Sequence, residues 1–159
     1  MHKTIKLFLL LTTLFAFRTV EDDKNYCNER FHFCIKYPSS FKLKEEAANG
    51  DGAIFVSADK KAEIRAYGSL AIEGMDQLEH EFKQASGDVK VTYQAKKANW
   101  FVFSGTDKKG NLIYQKTAKK NIDYLGDKNT PVFQTIRLIY PPEQKDQYNA
   151  CCTVIAKSL

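Results

Sequence analysis

The sequence predicts an α+β fold, in which an antiparallel β-sheet of about six or seven strands is sandwiched by helices. Several segments alternate apolar and polar residues with period two, the pattern of half-buried strands. Two others, 74–86 and 143–157, place their apolar residues at helical spacing. The strands predicted at 89–95, 100–106 and 111–119 have apolar residues on both faces, so both faces of the sheet need a cover.

The first predicted strand is the segment "RFHFCIKYP", residues 30–38. Its apolar side chains alternate with polar ones, and a proline ends it because proline cannot donate to a strand ladder. The alternating apolar residues are Phe31, Phe33, Ile35 and Tyr37.

The stretch Asn49-Gly50-Asp51-Gly52 precedes a predicted hairpin of strands 53–58 and 62–67. An EF-hand loop needs oxygen ligands at its first and last positions, where this chain has Ala47 and Ala58. Glycine supplies positive φ at low cost, and Asn and Asp side chains bond to their own backbone. We therefore interpret the stretch as a loop that leads into the hairpin.

Two turns connect the next three strands, at 96–99 and at "DKKGN", residues 107–111. If residue 106 pairs with residue 111, Trp100 faces Thr117 and Ala98 faces Lys119. This register predicts one apolar face with Val91, Tyr93, Trp100, Val102 and Ile113, and an opposite face with Phe101, Phe103, Leu112 and Tyr114.

The remaining chain predicts a polar loop at 120–131 and a strand at 132–140, closed by Pro141-Pro142. Gly87 ends the helix at 74–86, and a second amphipathic helix closes the chain. The helical apolar positions are Met75, Leu78, Phe82 and Ala85 in the first helix and Tyr148, Cys152, Ile155 and Leu159 in the second. Because no linker or repeat interrupts these elements, we expect a single domain over residues 27–159.

The N-terminus has the pattern of a secretory signal peptide over residues 1–17. Lys3 and Lys6 precede an apolar run that is too short to span a bilayer as a helix. We expect cleavage between about Ala16 and Glu21, a polar lead-in over 18–26, and no transmembrane segment afterwards. The protein is therefore predicted to be periplasmic or secreted.

The charge of the chain argues against a nucleic-acid partner. The net charge is +5, and removal of Lys3 and Lys6 with the signal peptide leaves 5 − 2 = +3. Nucleic-acid binding proteins have a stronger basic footprint than this mild excess.

Four cysteines in an exported chain favour disulfides, with free buried thiols as the alternative. Cys27 and Cys34 lie seven residues apart, which is about 23 Å in one strand and too far to bridge. Adjacent Cys151 and Cys152 would need a strained ring inside a helix. We therefore predict a disulfide between the N-terminal and the C-terminal pair, with the choice of partners left open.

Several segments together resemble small exported bacterial proteins of PsbP-like fold over about residues 27–159. They are "RFHFCIKYP", "NGDGAIFVSADKKAEIRAYG", "NWFVFSG" with a following "YQK", and "IRLIYPPEQKDQY" with the terminal "VIAKSL". The resemblance implies an antiparallel sheet sandwiched by helices, as in PsbP of photosystem II, a Ran-binding eukaryotic relative and some bacterial secretion-system chaperones. It also implies a binding or scaffold module with no shared catalytic residues. The chain departs from the pattern at Lys60-Lys61, where Asp-Gly is expected, and in its paired C-terminal cysteines.

No pattern in the mature chain predicts catalysis, a cofactor or a metal. His80 lies between two glutamates, but neighbouring residues point away from each other on a helix. His32 lies near Cys34, which in an exported chain is expected to be oxidised or buried. We expect a non-enzymatic exported binding or scaffold module. The alternatives are a secreted inhibitor or immunity protein against a toxin or hydrolase, and an enzyme of an unrecognised class.

A cluster of lysines is the candidate site for a protein partner. The register above brings Lys119 and Lys120 to the turn that contains Lys96 and Lys97, with Trp100 just behind. One interpretation is a solvated turn that keeps the protein soluble. The other is a docking edge for an acidic protein or an anionic envelope surface, with binding that weakens steeply as salt increases.

Overall fold

The structure is a computed structural model that describes residues 23–74 and 77–159. The predicted signal peptide and the start of the predicted lead-in lie outside the described residues. The described ranges form nine strands and two helices: β1 (Asp23–Asn28), β2 (Phe33–Pro38), β3 (Lys42–Glu46), β4 (Gly52–Val56), β5 (Glu63–Leu70), α1 (Leu78–Ser86), β6 (Val89–Lys97), β7 (Trp100–Asp107), β8 (Leu112–Tyr124), β9 (Asp127–Tyr140) and α2 (Lys145–Ala156). A short 3₁₀ turn, Pro142–Gln144, leads into α2.

Seven of these strands form one antiparallel sheet in the order β3-β4-β5-β9-β8-β7-β6. Strands β1 and β2 form a separate antiparallel hairpin. The α+β class, the antiparallel sheet and its strand number were predicted from the sequence, and the structure confirms them.

Each face of the sheet has its own cover and its own apolar core. The β1–β2 hairpin and α2 cover the face that we call the α2 face, and α1 covers part of the opposite face, the α1 face. The core of the α2 face includes Phe31, Phe33, Ile35 and Tyr37, the alternating residues of the first predicted strand. The core of the α1 face is smaller and contains Phe82, Phe101, Phe103 and Ile113. Within the described ranges, no helix is long and apolar enough to cross a bilayer.

The disulfide joins Cys27 to Cys34 across the β1–β2 hairpin, with the two Cα atoms 4.0 Å apart. The prediction that the N-terminal cysteines pair with those of α2 is therefore wrong. It assumed that Cys27 and Cys34 lie in one extended strand, but a turn reverses the chain between them, and His32 in that turn has a φ of 51°. Residues 23–26, predicted as polar lead-in, are the start of β1.

Replacing Cys27 and Cys34 by Ser should lower the free energy of unfolding by about 2 kcal/mol, because the bridge restricts the unfolded chain. The apolar side chains of β2 remain buried, so the fold should persist. Urea denaturation with and without reductant measures the effect. Reduction should destabilise the wild type by a similar amount and leave the double variant unchanged, and a wild type that is insensitive to reductant would contradict the expectation.

The register between β7 and β8 differs by one residue from the predicted one. Thr106 pairs with Leu112, because the loop between the strands has three residues and ends at Gly110, whose φ is 87°. A three-residue hairpin loop with glycine in the left-handed region is a common alternative to the four-residue loop assumed above. Trp100 consequently pairs with Ala118 instead of Thr117. Ile113 joins Phe101 and Phe103 on the α1 face, and Leu112 and Tyr114 join Trp100 and Val102 on the α2 face.

A β-bulge in β6 causes a second change of face. The register shifts between Val91, which pairs with Gly105, and Tyr93, which pairs with Ser104. The extra residue reverses the alternation, so Val91 and Tyr93 lie on opposite faces. The prediction that they share one face is wrong.

The segment 120–131, predicted as a polar loop, is strand on both sides of a tight turn. Strands β8 and β9 continue to this turn, where Leu125 has a φ of 51° and Gly126 a φ of 97°. Two consecutive residues with positive φ are typical of the type I′ turn in a two-residue hairpin. Most of the arm is exposed and polar, and only Ile122 and Tyr124 pack on the core, so the hydrophobic alternation is too short to predict two strands.

The two remaining turns and the helices agree closely with the prediction. The Asn49–Gly52 stretch lies in the turn between β3 and β4 and ends at the first residue of β4, with Gly50 at a φ of 74°. Lys60, in the turn between β4 and β5, has a φ of 60°, which glycine would adopt without strain. Helix α1 ends as predicted, and its predicted first turn includes residues 75 and 76, which lie outside the described residues.

Candidate functional site

The four lysines of the predicted docking edge lie at one end of the sheet. The backbone N–H of Lys119 donates to the carbonyl of Asn99 at 2.8 Å, so β8 does return to the turn between β6 and β7. The four side chains nevertheless divide between the two faces, because alternate residues of a strand point in opposite directions. The edge is therefore two smaller surfaces.

Lys96 and Lys119 belong to the α1 face, where they pair across strands with Phe101 and Phe133. The Lys96 ammonium lies 2.9 Å from a carboxylate oxygen of Glu79 and 3.5 Å from the ring centroid of Phe82. Lys96 thus holds α1 onto β6 and contributes little free positive charge.

Lys97 and Lys120 belong to the α2 face, on either side of Trp100. Lys97 pairs directly with Trp100 across strands, and the ammonium of Lys116 lies 5.7 Å from the centroid of the Trp100 ring. Burial, and secondarily the charge of Lys120, lower the pKa of Lys116. The Lys116 ammonium also donates to the carbonyl oxygens of Ala156, at 2.6 Å, and Leu159.

We call this surface the tryptophan patch and define it by Tyr93, Lys97, Trp100, Lys116 and Lys120. Tyr93 lies on the same face as Trp100 and is 57% exposed. The patch therefore combines accessible aromatic surface with three ammonium groups. Such a surface can bind carboxylates and stack on apolar or planar groups of a partner.

Helix α1 leaves part of the α1 face open. A cleft that was not predicted lies there. Its larger part, which we call the basic cleft, has a volume of about 710 Å³. Six cationic and three anionic side chains line it, an excess of three positive charges. They are Lys44, Lys60, Lys61, Arg65, Lys108 and Lys109, against Glu63, Asp88 and Asp107.

A smaller cavity of about 280 Å³ shares Arg65 with the basic cleft. We call it the arginine cavity, because Arg137 also lines it, next to Tyr67. Burial raises the pKa of the Tyr67 hydroxyl, and the nearby charge of Glu81 raises it further. Burial also lowers the pKa of Arg137.

A buried polar network lies beside Tyr67 and Arg137. The Gln115 amide donates to the Thr117 hydroxyl at 3.1 Å, which lies 2.9 Å from the hydroxyl of Thr135. All three side chains are at most 1% exposed. Buried polar groups need hydrogen-bond partners, and the three side chains of this network supply most of these partners to one another. Among the described residues, no cluster of three or more His, Cys, Asp or Glu side chains could hold a metal ion.

Comparison with known proteins identifies the architecture. No family model and no curated protein matches the chain. Among solved structures, it is similar to the solution structure of cyanobacterial PsbP (CyanoP) from Synechocystis sp. PCC 6803, with a TM-score of 0.53. The match covers 87% of this chain and 92% of that chain at 10% sequence identity. The chain has the PsbP-like fold.

The PsbP-like fold was predicted from the order of the motifs, and the comparison confirms it. At this level of identity the likeness concerns the fold alone, because function depends on site residues that a fold does not specify. The PsbP-like sheet positions the tryptophan patch on one face and the arginine cavity on the other.

Proposed function

We propose that the protein is a non-enzymatic, exported binding module that docks an acidic protein partner through the tryptophan patch. One observation carries the proposal: the half-buried indole of Trp100 shares its sheet face with three lysines, which are its cross-strand partner Lys97, Lys116 with its ammonium 5.7 Å from the ring centroid, and Lys120. Among the described residues, neither Lys97 nor Lys120 forms an ion pair. A carboxylate-rich surface would complement these charges, and Trp100 and Tyr93 would supply the apolar contact area.

Export is supported by two features of the chain. The N-terminal residues have a signal-peptide pattern, and Cys27 and Cys34 form a disulfide. Disulfides persist in the periplasm and outside the cell and are rare in reducing compartments. The partner would then be an envelope or extracellular protein.

Replacing both Lys97 and Lys120 by Gln should weaken partner binding about fivefold at low salt, because each exposed charge pair contributes about 0.2–1 kcal/mol. The double variant Lys96→Gln/Lys119→Gln is the matched control, since it removes the same charge from the same end of the sheet but from the opposite face. Immobilised mature protein, incubated with envelope extract at two salt concentrations, measures which acidic proteins each form retains and how tightly.

The supporting result is an acidic protein that the wild type and the control retain and the Lys97/Lys120 variant loses. Retention should also fall as salt rises, since exposed charges are screened within about 8 Å at physiological ionic strength. Equal retention by both variants would overturn the proposal. So would binding to anionic lipid vesicles with no protein retained, which would assign the patch to a membrane surface.

A further inference from the structure

Two arginines face each other in the middle of the α1 face. Arg65 of β5 pairs directly with Arg137 of β9, so their side chains lie on the same face at adjacent positions. Like charges at directly opposed positions of an antiparallel pair are destabilising. A sheet that places two guanidinium groups side by side therefore needs negative charge close to them.

The carboxylates of the protein supply too little of this charge. Glu63 accepts a hydrogen bond from Arg65 Nε at 2.5 Å and also lies 3.7 Å from the ammonium of Lys44. Arg65 and Lys44 thus share one carboxylate. Asp51 and Glu45 also line the arginine cavity: Asp51 already pairs with Arg30 at 2.9 Å, and Glu45 forms no ion pair with either arginine among the described residues. Within residues 23–74 and 77–159, Arg137 has no ion pair.

Arg137 is also short of hydrogen-bond partners. Its Nε is buried and has no acceptor among the described residues. Gln115 pairs with Arg137 across strands, and its amide oxygen is likewise buried without a donor. An arginine stays charged in a protein, and a buried N–H donor of a charged group that lacks an acceptor is costly. This shortage of hydrogen-bond partners lies beside the arginine cavity, which Arg65 and Arg137 both line.

We propose that Arg65 and Arg137 form a binding site for the oxyanion of a small ligand, a carboxylate or a phosphate. Each guanidinium presents parallel N–H donors that match the two oxygens of such a group. Ile54 and Tyr67 line the same cavity and provide apolar contact for the rest of the ligand. The volume of about 280 Å³ lies just below the usual range of ligand pockets, so the ligand is small.

The test is titration of the whole mature protein with succinate and, separately, with inorganic phosphate at low ionic strength. The side-chain Nε–H resonances of the arginines, observed by ¹⁵N NMR, report directly on the site. Binding should shift the Arg137 resonance in a saturable way. The Arg65→Gln variant should weaken binding about tenfold, because it removes one of the two guanidinium groups. The matched control is Lys128→Gln, which removes one exposed charge at the far end of β9 and should leave the affinity within twofold.

Saturation by either anion supports the site and shows which oxyanion it prefers. Saturation by neither overturns it, and so does an equal loss of affinity in Arg65→Gln and Lys128→Gln, which would indicate nonspecific attraction. Arg137→Lys, if folded, should also bind more weakly, since lysine keeps the charge but lacks the paired donors. The wild-type titration and Arg65→Gln decide the question if that variant does not fold. The site lies on the opposite face from the tryptophan patch, so either proposal can fail alone.

Discussion

Replacing Gly68 by Ala should lower the free energy of unfolding by about 3 kcal/mol, as overpacking of a filled core does. Gly68 lies in β5, and Phe31 of the turn between β1 and β2 packs on it. A Cβ atom at Gly68 would lie 2.1 Å from Cγ and 2.4 Å from Cβ of Phe31. These atoms are close to the Phe31 backbone, so the ring cannot simply rotate away and the turn must move.

The displacement matters because Phe31 anchors the hairpin to the sheet. Its side chain is 2% exposed and stacks on Tyr124, with the ring centroids 5.6 Å apart. Its carbonyl accepts a hydrogen bond from the amide of Gln134 at 2.8 Å, and that amide is buried. Moving Phe31 would therefore cost both apolar contact and a buried hydrogen bond.

Urea denaturation of Gly68→Ala measures the loss. Gly87→Ala is the matched control, because Gly87 has a helical φ of −57° and a Cβ there would be 3.4 Å from its nearest neighbour. We expect that control to be neutral or slightly stabilising. A Gly68→Ala protein within 0.5 kcal/mol of wild type would contradict the expected clash. Adding Phe31→Ala should cost less in the Gly68→Ala background than in the wild type, since the two residues are coupled.

The elements that the sequence predicts well are those in which one local pattern determines burial. Phe33, Ile35 and Tyr37 alternate along β2 because one face of that strand packs on the sheet, and all three are buried. The helical spacing of Tyr148 and Ile155 similarly predicts the buried face of α2. A half-buried strand buries every second residue, and an amphipathic helix buries every third or fourth. Either pattern can be recognised in the sequence without knowing which element packs against it.

The errors come from features that a local pattern does not encode. Gly110 allows a loop of either three or four residues, and that choice moves every side chain of β8 to the other face. The Cys27–Cys34 bridge depends on a turn with no glycine or proline, in which His32 adopts positive φ. In the arm between β8 and β9 only Ile122 and Tyr124 pack on the core, so the apolar alternation is too short to mark two strands.

The arginine cavity was beyond sequence analysis for a related reason. Arg65 and Arg137 are 72 positions apart, and they meet because β5 pairs with β9, which is a contact between distant parts of the chain. Each arginine alternates with apolar residues like any half-exposed strand residue. The lysine cluster was found because it depends only on the turn between neighbouring strands, although its division between the faces depends on the register.

Replacing Phe82 by Ala should cost about 3 kcal/mol, the usual range for removing a buried phenylalanine. Phe82 is the one buried residue of α1, and its ring meets those of Phe101 and Phe103 edge-on, at centroid distances of 5.3 and 5.8 Å. The Lys96 ammonium lies 3.5 Å from the centroid of the same ring. Removing the ring thus deletes the one fully buried contact of the helix and leaves the partly buried Leu78 and Ala85.

The loss should be concentrated in α1 itself. The helix has nine residues, fewer than the 12–15 that an isolated helix needs to be even marginally stable in water. Hydrogen exchange of the α1 amides should therefore accelerate more than that of the β9 amides. Burial raises the pKa of Glu81 in α1, so in Phe82→Ala that pKa should fall towards its ordinary value.

The control is Phe82→Leu, which keeps an apolar side chain against Phe101 and Phe103 and should lose about 1 kcal/mol without faster exchange in α1. Unchanged protection of α1 in Phe82→Ala would show that other contacts hold the helix. The outcome also bears on the open cleft, because α1 covers the part of its face next to Gln115 and Thr117. A short helix held by Phe82 and the Lys96–Glu79 pair can open without unfolding the sheet, since the seven-stranded sheet keeps its own ladder of hydrogen bonds.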